Sequence, residues 1–290
     1  MSYTAIVSGA SGKIGSHFID QLNVNQIRTL LVSRKSDTNI KGLTNININA
    51  INKNDDLISN WVNNNKEKDI YFFHFAWSGD ENLTDGNIAS QLKNIELLSK
   101  AISIAKNAGC SKFINIGTTE ELIVKENLQS WQNKPNSLKP YGLSKLTSFY
   151  YAQILTYLNK LDLIHIRFSA AVNSLSSKNE DKGFIHRNMR KIKNGESIDE
   201  ISNNQLFDFI ETSQLATLIL ETAIIGSNKE EYYLGPNYPL KLSDFFKLIK
   251  NEISSEKSEN INCEYQKYYD NKKYVSKTGK NIKFQIKDFI

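Results

Sequence analysis

The stretch "TAIVSGASGKIGSHFIDQL", residues 4–22, decides the fold of this chain. A short run typical of a buried strand leads into a helical pattern, and Gly9, Gly12 and Gly15 lie between them at steps of three residues. Glycine there permits a tight turn and close approach of a pyrophosphate to backbone amides, while the helix N-terminus favours negative charge. A dinucleotide is therefore the expected ligand, although a simple tight turn is the alternative. The residues assigned to this loop are Gly9, Ser11, Gly12, Lys13, Ile14 and Gly15.

Short apolar runs rich in β-branched and aromatic residues recur along the first half of the chain. Helix-length amphipathic segments separate them, and this alternation is typical of a parallel sheet covered by helices on both faces. The predicted fold class is therefore α/β, with a Rossmann doubly wound parallel sheet. The predicted strands contain "TAIV", "TLLV", "IYFFHFA", "KFINI" and "LIHIRF".

The regular alternation fades after about Asn173, where a polar loop and a basic helix follow. We expect an NADP-binding Rossmann domain over residues 1–172, with a return segment at about 203–232. A smaller C-terminal substrate-binding lobe is predicted over residues 173–202 and 233–290, packed against the carboxyl ends of the sheet.

Composition excludes several classes of protein. The 290 residues are 40% hydrophobic and 23% charged, which is ordinary for a folded domain. The net charge of +5 comes without a basic run interleaved with aromatics, so nucleic acid is not an expected partner. Cys110 and Cys263 lack metal-ligand spacing, so no metal site is expected. No segment reaches the roughly 18 apolar residues of a membrane span, and we expect a cytoplasmic protein without a membrane partner.

The end of the second predicted strand indicates which dinucleotide binds. Folds that bind the unphosphorylated ribose usually place Asp or Glu there, whereas a 2′-phosphate requires a base such as Arg. The segment "TLLVSRKS" offers Ser33, Arg34 and Lys35 and no carboxylate. NADP is therefore the predicted cofactor, with NAD as the alternative, and a solvated basic loop would explain the same residues.

A tyrosine and a lysine lie four residues apart in "KPYGLSK", residues 139–145. At this spacing Tyr141 and Lys145 lie on one helix face, and the ammonium would lower the pKa of the phenol in a partly buried site. Tyr141 could then pass a proton to or from a substrate oxygen. The alternative is that the segment is only the start of an amphipathic helix.

Four motifs in the chain resemble, in their order, those of the extended short-chain dehydrogenase/reductase family of nucleotide-sugar epimerases, dehydratases and reductases. They are the glycine loop, "FFHFAW", "INIGTTEE" and "PYGLSK". The resemblance covers roughly residues 3–250. It implies that Thr118 bonds the reacting oxygen, that Tyr141 is the proton donor and that Lys145 also holds the nicotinamide ribose. It further implies that Ala76 and Phe168 line the cofactor site.

Departures from the family pattern fall near the substrate. Leu122 and Ile123 replace the family's Tyr-Gly pair, which makes Thr119 a possible substitute for Thr118. Trp77, Thr119 and Arg187 are the candidate substrate residues; aromatic packing of Trp77 and a solvated position of Arg187 are the alternatives.

The resemblance favours an NADP-dependent reductase of a keto nucleotide-sugar of the 4-keto-6-deoxyhexose type, working by hydride transfer. The alternatives are a nucleotide-sugar 4-epimerase with tightly bound NAD and a catalytically degenerate cofactor-sensing protein. A homodimer is expected through two amphipathic helices, residues 91–109 and 144–159.

Overall fold

The computed structural model describes the chain in nine ranges, and all structural statements below concern these residues. They are residues 3–34, 43–48, 51–64, 69–78, 88–129, 140–177, 183–201, 205–254 and 267–290. Of the residues considered above, Lys35 and Cys263 lie outside these ranges.

Within these ranges, seven strands form a larger sheet in which every neighbouring pair is parallel. The described residues contain ten strands in all: β1 Tyr3–Ser8, β2 Thr29–Ser33, β3 Asn45–Asn47, β4 Asp69–His74, β5 Lys112–Ile116, β6 Asp162–Arg167, β7 Ala170–Val172, β8 Leu206–Glu211, β9 Glu230–Tyr233 and β10 Pro239–Lys241. The order across the larger sheet is β3-β2-β1-β4-β5-β6-β9. The chain leaves β1 towards β2 on one side and later returns to place β4 on the other side, which creates a crevice at their carboxyl ends.

Helices cover both faces of this sheet. The described α-helices are α1 Lys13–Val24, α2 Ile51–Asn63, α3 Ile88–Asn107, α4 Glu120–Gln129, α5 Pro140–Leu158, α6 Phe184–Lys193, α7 Thr212–Ile225, α8 Leu242–Ser254 and α9 Lys272–Thr278. Two short 3-10 helices, Lys267–Tyr269 and Ile286–Phe289, lie near the end of the chain. The predicted amphipathic helices correspond to α3 and α5, with bounds that differ from the prediction by a few residues.

Alternating side chains of each strand enter two separate cores. Val7 of β1 packs with α1 and α7 on one face, whereas Ile6 packs with α2, α3 and α5 on the other. Because both faces are buried, the strands read as nearly continuous apolar runs in the sequence. The predicted Rossmann fold, a doubly wound parallel sheet, is confirmed.

A smaller sheet follows in the second half of the chain. In it β8 lies between β7, to which it is parallel, and β10, to which it is antiparallel. This smaller sheet packs with α6 and α8 to form a third apolar core. The expected return segment 203–232 therefore contributes β8 to the smaller sheet and β9 to the larger one. The division into a Rossmann domain and a substrate-binding lobe stays a prediction.

No helix in the described part of the chain combines the length and the apolar character required to cross a membrane.

Candidate active site

The glycine loop joins β1 to α1 at the carboxyl edge of the larger sheet. Gly9 has a φ of +80°, a conformation that favours glycine, and a Cβ there would lie 2.5 Å from the backbone nitrogen of Ala76. A Cβ on Gly15 would collide with the carbonyl oxygen of Gly9. The loop therefore accepts no side chain at either position, which leaves its backbone accessible at the helix N-terminus, as a bound pyrophosphate requires.

One side of the cleft is formed by this loop, the end of β2 and the segment after β4. Arg34 Nη1 donates a hydrogen bond to Ser78 Oγ at 2.9 Å, and Asn45 Nδ2 donates one to Ser33 Oγ at 2.9 Å. Among the described residues that line this side, none is acidic. Ser33 and Arg34, which were predicted to contact the cofactor, both line this side of the cleft.

The other side of the cleft brings together the three predicted catalytic residues. Thr118 lies two residues after the end of β5, and Tyr141 and Lys145 come from the first two turns of α5, which starts at Pro140. All three line the same cleft as the glycine loop, next to Phe168. Parallel strands end at one edge of a sheet, so residues separated in sequence by more than 100 positions meet here.

Lys145 is almost fully buried, and its ammonium contacts both backbone and aromatic groups. Its ammonium donates a hydrogen bond of 3.0 Å to the carbonyl oxygen of Ile116 and lies 4.0 Å from the ring centroid of Trp77. The Trp77 ring also meets the Tyr141 ring edge-on, with centroids 6.1 Å apart, and Trp77 Nε1 donates to Gln91 Oε1 at 3.2 Å. Trp77, predicted to contact substrate, therefore contacts both members of the Tyr-Lys pair.

Two buried polar residues support the segment after β4. Asn94 accepts a hydrogen bond from the backbone nitrogen of Ser78 at 2.9 Å and donates to its carbonyl oxygen at 2.8 Å. His74 Nδ1 lies 2.8 Å from Ser8 Oγ. Burial, and then the nearby charge of Lys145, lowers the pKa of His74 to about 3, so this imidazole stays neutral at physiological pH.

The substrate end of the cleft is only partly what the sequence predicts. Thr119 lines it, together with Ile185 of α6 and Phe207 of β8. Arg187 does not line it: its guanidinium donates to Asp199 Oδ2 from both Nε, at 3.1 Å, and Nη2, at 2.9 Å. The structure does not bring Arg187 to the cleft, because its guanidinium is paired with the Asp199 carboxylate instead.

Sequence reasoning missed a buried charged cluster behind Thr118. The Glu121 carboxylate is fully buried and accepts hydrogen bonds from the backbone nitrogen of Thr118, from His165 and from Arg167. The pattern Thr-x-x-Glu at residues 118–121 is the capping-box signal for a helix start, and it could have identified Glu121. His165 and Arg167 alternate with isoleucine in β6, which places both on one face of the strand.

The sequence model of a protein family, described as the NAD dependent epimerase/dehydratase family, matches residues 5–235 of this chain. A curated protein of Methanocaldococcus jannaschii, named "Putative UDP-glucose 4-epimerase", is 25% identical over 263 residues, which cover 86% of this chain and 82% of that protein.

Solved structures share the fold. The UDP-glucose 4-epimerase of Thermotoga maritima, determined with UDP-glucose, superposes with a TM-score of 0.73 at 18% identity, covering 99% of this chain and 96% of that one. The UDP-N-acetylglucosamine 4-epimerase of Bacillus cereus gives a TM-score of 0.72 at 15% identity, covering 99% of this chain and 94% of that one. At these identities the likeness shows the fold alone.

Proposed function

This chain belongs to the NAD dependent epimerase/dehydratase family, and from that premise we propose that it is an NAD-dependent 4-epimerase of a nucleotide-linked sugar. The observation that carries the proposal is the single cleft in which Thr118, Tyr141 and Lys145 lie beside the glycine loop. The names of the relative and of the two solved structures described above support the 4-epimerase alternative over the reductase predicted first.

The residues present fit a nicotinamide dinucleotide. A Cβ on Gly9 would collide with the Ala76 backbone and one on Gly15 with the Gly9 carbonyl oxygen, so only glycine permits this tight turn, and α1 begins immediately behind it. The pyrophosphate would lie against this helix N-terminus, and Lys145 would hold the ribose next to the nicotinamide. When bound, NAD supplies the chemistry of accepting a hydride from the sugar carbon and returning it to the opposite face.

Proton transfer falls to Tyr141. Its phenolate would accept the proton of the sugar hydroxyl while the carbon is oxidised, and the resulting phenol would return that proton when the carbon is reduced. Lys145 places a positive charge on the same helix face, which stabilises the phenolate form. The Thr118 hydroxyl would donate a hydrogen bond to the same sugar oxygen and hold it towards Tyr141.

A second candidate is the NADP-dependent keto-sugar reductase that the sequence first favoured. Arg34 at the end of β2 favours it, because a guanidinium suits a 2′-phosphate and no described residue lining that side of the cleft is acidic. The family description favours NAD instead. We therefore rank the NAD-dependent epimerase first.

The test is to release and identify the nucleotide that copurifies with the protein, and then to supply UDP-glucose and UDP-N-acetylglucosamine separately. An epimerase forms the C4 epimer with no net change in nicotinamide absorbance. A reductase instead consumes NADPH in proportion to a 4-keto nucleotide-sugar. Absence of epimer formation together with NADPH consumption would overturn the first proposal in favour of the second.

A further inference from the structure

The carboxylate of Glu121 connects three parts of the molecule behind the cleft. Its Oε1 accepts from the backbone nitrogen of Thr118 at 3.0 Å. Its Oε2 accepts from His165 Nε2 at 2.8 Å and from Arg167 Nε at 2.7 Å. The carboxylate is completely buried and does not line the cleft. It can therefore influence a reaction only through the residues that it holds.

Thr118 and Glu121 form the capping box of α4. Glu121 returns to the Thr118 amide, and Thr118 Oγ1 accepts from the backbone nitrogen of Glu120 at 3.4 Å. A capping glutamate usually lies at the surface, where water surrounds it. Here it lies in the protein interior, where an unpaired carboxylate would be costly, and Arg167 and His165 of β6 both donate hydrogen bonds to it.

The charge states of the cluster follow from its hydrogen bonds. Asn115 Nδ2 donates to His165 Nδ1 at 3.1 Å, so the proton of a neutral His165 resides on Nε2 and points to Glu121. Burial lowers the pKa of His165, which keeps this ring neutral. Burial opposes ionisation of Glu121, but His165 and Arg167 together hold its pKa below the ordinary value. Glu121 is thus a carboxylate fixed by three donors.

The same cluster contacts the helix that carries Tyr141 and Lys145. The Phe149 ring lies 4.1 Å from the His165 ring, measured between centroids, and the Arg167 guanidinium carbon lies 4.8 Å from the Phe149 centroid. Phe149 follows Lys145 by four residues, one helical turn along the same face of α5. Glu121 therefore lies at the junction between the Thr118 backbone and the face of α5 that carries Lys145.

The segment has no room to adjust. A Cβ on Gly117 would lie 2.5 Å from both Cε1 and Nε2 of His165 and would also collide with the Glu121 carboxylate. The backbone before Thr118 is therefore packed directly against the ion-paired cluster, and a change in the cluster must displace Thr118.

We propose that Glu121 is a positioning residue, which holds the backbone of Thr118 so that the threonine hydroxyl stays in register with Tyr141 and Lys145 across the cleft. His165 and Arg167 fix the carboxylate in turn. The inference rests on the proposed function in one respect, the assignment of Thr118 to the reaction.

The test compares Glu121→Gln with Glu231→Gln. Glu231 binds the same Arg167, at 2.5 Å from Nη1, but its side chain is 44% exposed, and no described hydrogen bond joins it to Thr118. Glutamine at 121 keeps one acceptor and cannot serve both Thr118 and the basic pair. We expect kcat to fall about 10²-fold with KM little changed, the usual cost of a misplacement of about 1 Å. Glu231→Gln should cost about fivefold or less, as expected for a partly exposed ion pair.

A double-mutant cycle separates positioning from general destabilisation. If Glu121 acts through Thr118, adding Glu121→Gln to Thr118→Ala lowers kcat only slightly further, because the hydroxyl is already gone. If Glu121→Gln lowered kcat by the same factor in the wild-type and Thr118→Ala backgrounds, the inference would be overturned. Should Glu121→Gln not fold, Glu121→Asp keeps the charge but shortens the side chain, and the same cycle applies to it.

Hydrogen exchange of the Thr118 amide supplies a readout that does not depend on activity. We expect its protection to drop in Glu121→Gln and to persist in Glu231→Gln; retained protection in both would refute the anchoring. A wild-type protein without epimerase turnover would refute the proposed function, and the exchange result would still decide whether Glu121 holds Thr118.

Discussion

Replacing Trp77 tests how the Tyr-Lys pair is organised. The ring face covers the Lys145 ammonium at 4.0 Å from the centroid, and its edge contacts Tyr141. Cation–π contacts are worth about 0.5–1 kcal/mol when exposed and about 2 kcal/mol when desolvated. Because Lys145 is only 8% exposed, the upper value applies. A loss of about 2 kcal/mol in a step that depends on Lys145 corresponds to a roughly 30-fold lower rate.

The measurement compares Trp77→Phe with Trp77→Leu under single-turnover conditions. Both variants lose the hydrogen bond from the indole to Gln91, so their difference isolates the aromatic face. We expect Trp77→Phe to retain most of the rate and Trp77→Leu to lose about 30-fold, with both folded by circular dichroism. Equal rates in the two variants would show that the ring does not hold Lys145 and would return Trp77 to a packing or substrate role.

Three further perturbations follow from the same cleft and from the helices beside it. Tyr141→Phe should lower turnover by about 10²- to 10⁴-fold, the usual contribution of general acid–base catalysis. The control Tyr151→Phe, on the exposed face of the same helix, should leave turnover unchanged. Near-normal turnover in Tyr141→Phe would remove Tyr141 from the mechanism. Arg34→Ala should weaken NADPH binding about tenfold and leave NADH binding nearly unchanged, because only NADPH carries a 2′-phosphate. If a fluorescence titration showed equal losses of affinity for NADPH and NADH, Arg34 would not face the 2′-phosphate. The apolar side chains of Tyr150 and Ile154 on α5 are 42% and 58% exposed, so they are available to a partner subunit. Sedimentation should therefore show a dimer near twice the 33.0 kDa chain mass, and Ile154→Lys should dissociate it. A monomeric wild-type protein would contradict this prediction.

Much of the fold could be predicted because its signals are local. The glycine spacing, the strand before it and the helix behind it lie within 19 consecutive residues, 4–22. Tyr141 and Lys145 share a helix face by spacing alone. Their meeting with Thr118 was implied by the family resemblance, and the structure places all three residues in one cleft. These predictions needed no knowledge of side-chain contacts.

The remaining features depend on long-range contacts that no local pattern contains. Glu121 meets His165 and Arg167 across 44 and 46 residues, and only the capping-box half of that cluster is visible in the sequence. Arg187 was placed near substrate by its basic surroundings, but Asp199, twelve residues later, binds it instead. The dimer prediction shows the same limit: Leu146 and Phe149 of α5 face the core of the subunit, so fewer of its apolar residues remain for a partner than composition suggests.

Different elements of the fold line the two sides of the cleft. Residues from the glycine loop, β2 and the segment after β4, including Arg34, line one side, while residues after β5 and β6 and from α6 and β8, including Phe207, line the other. Trp77 lines both sides and contacts Lys145, so it couples the two halves at the point where chemistry would occur. Substitutions at Arg34 should therefore alter the preference between dinucleotides without changing the sugar accepted, and substitutions at Phe207 should do the reverse, whereas changes at Trp77 should affect both.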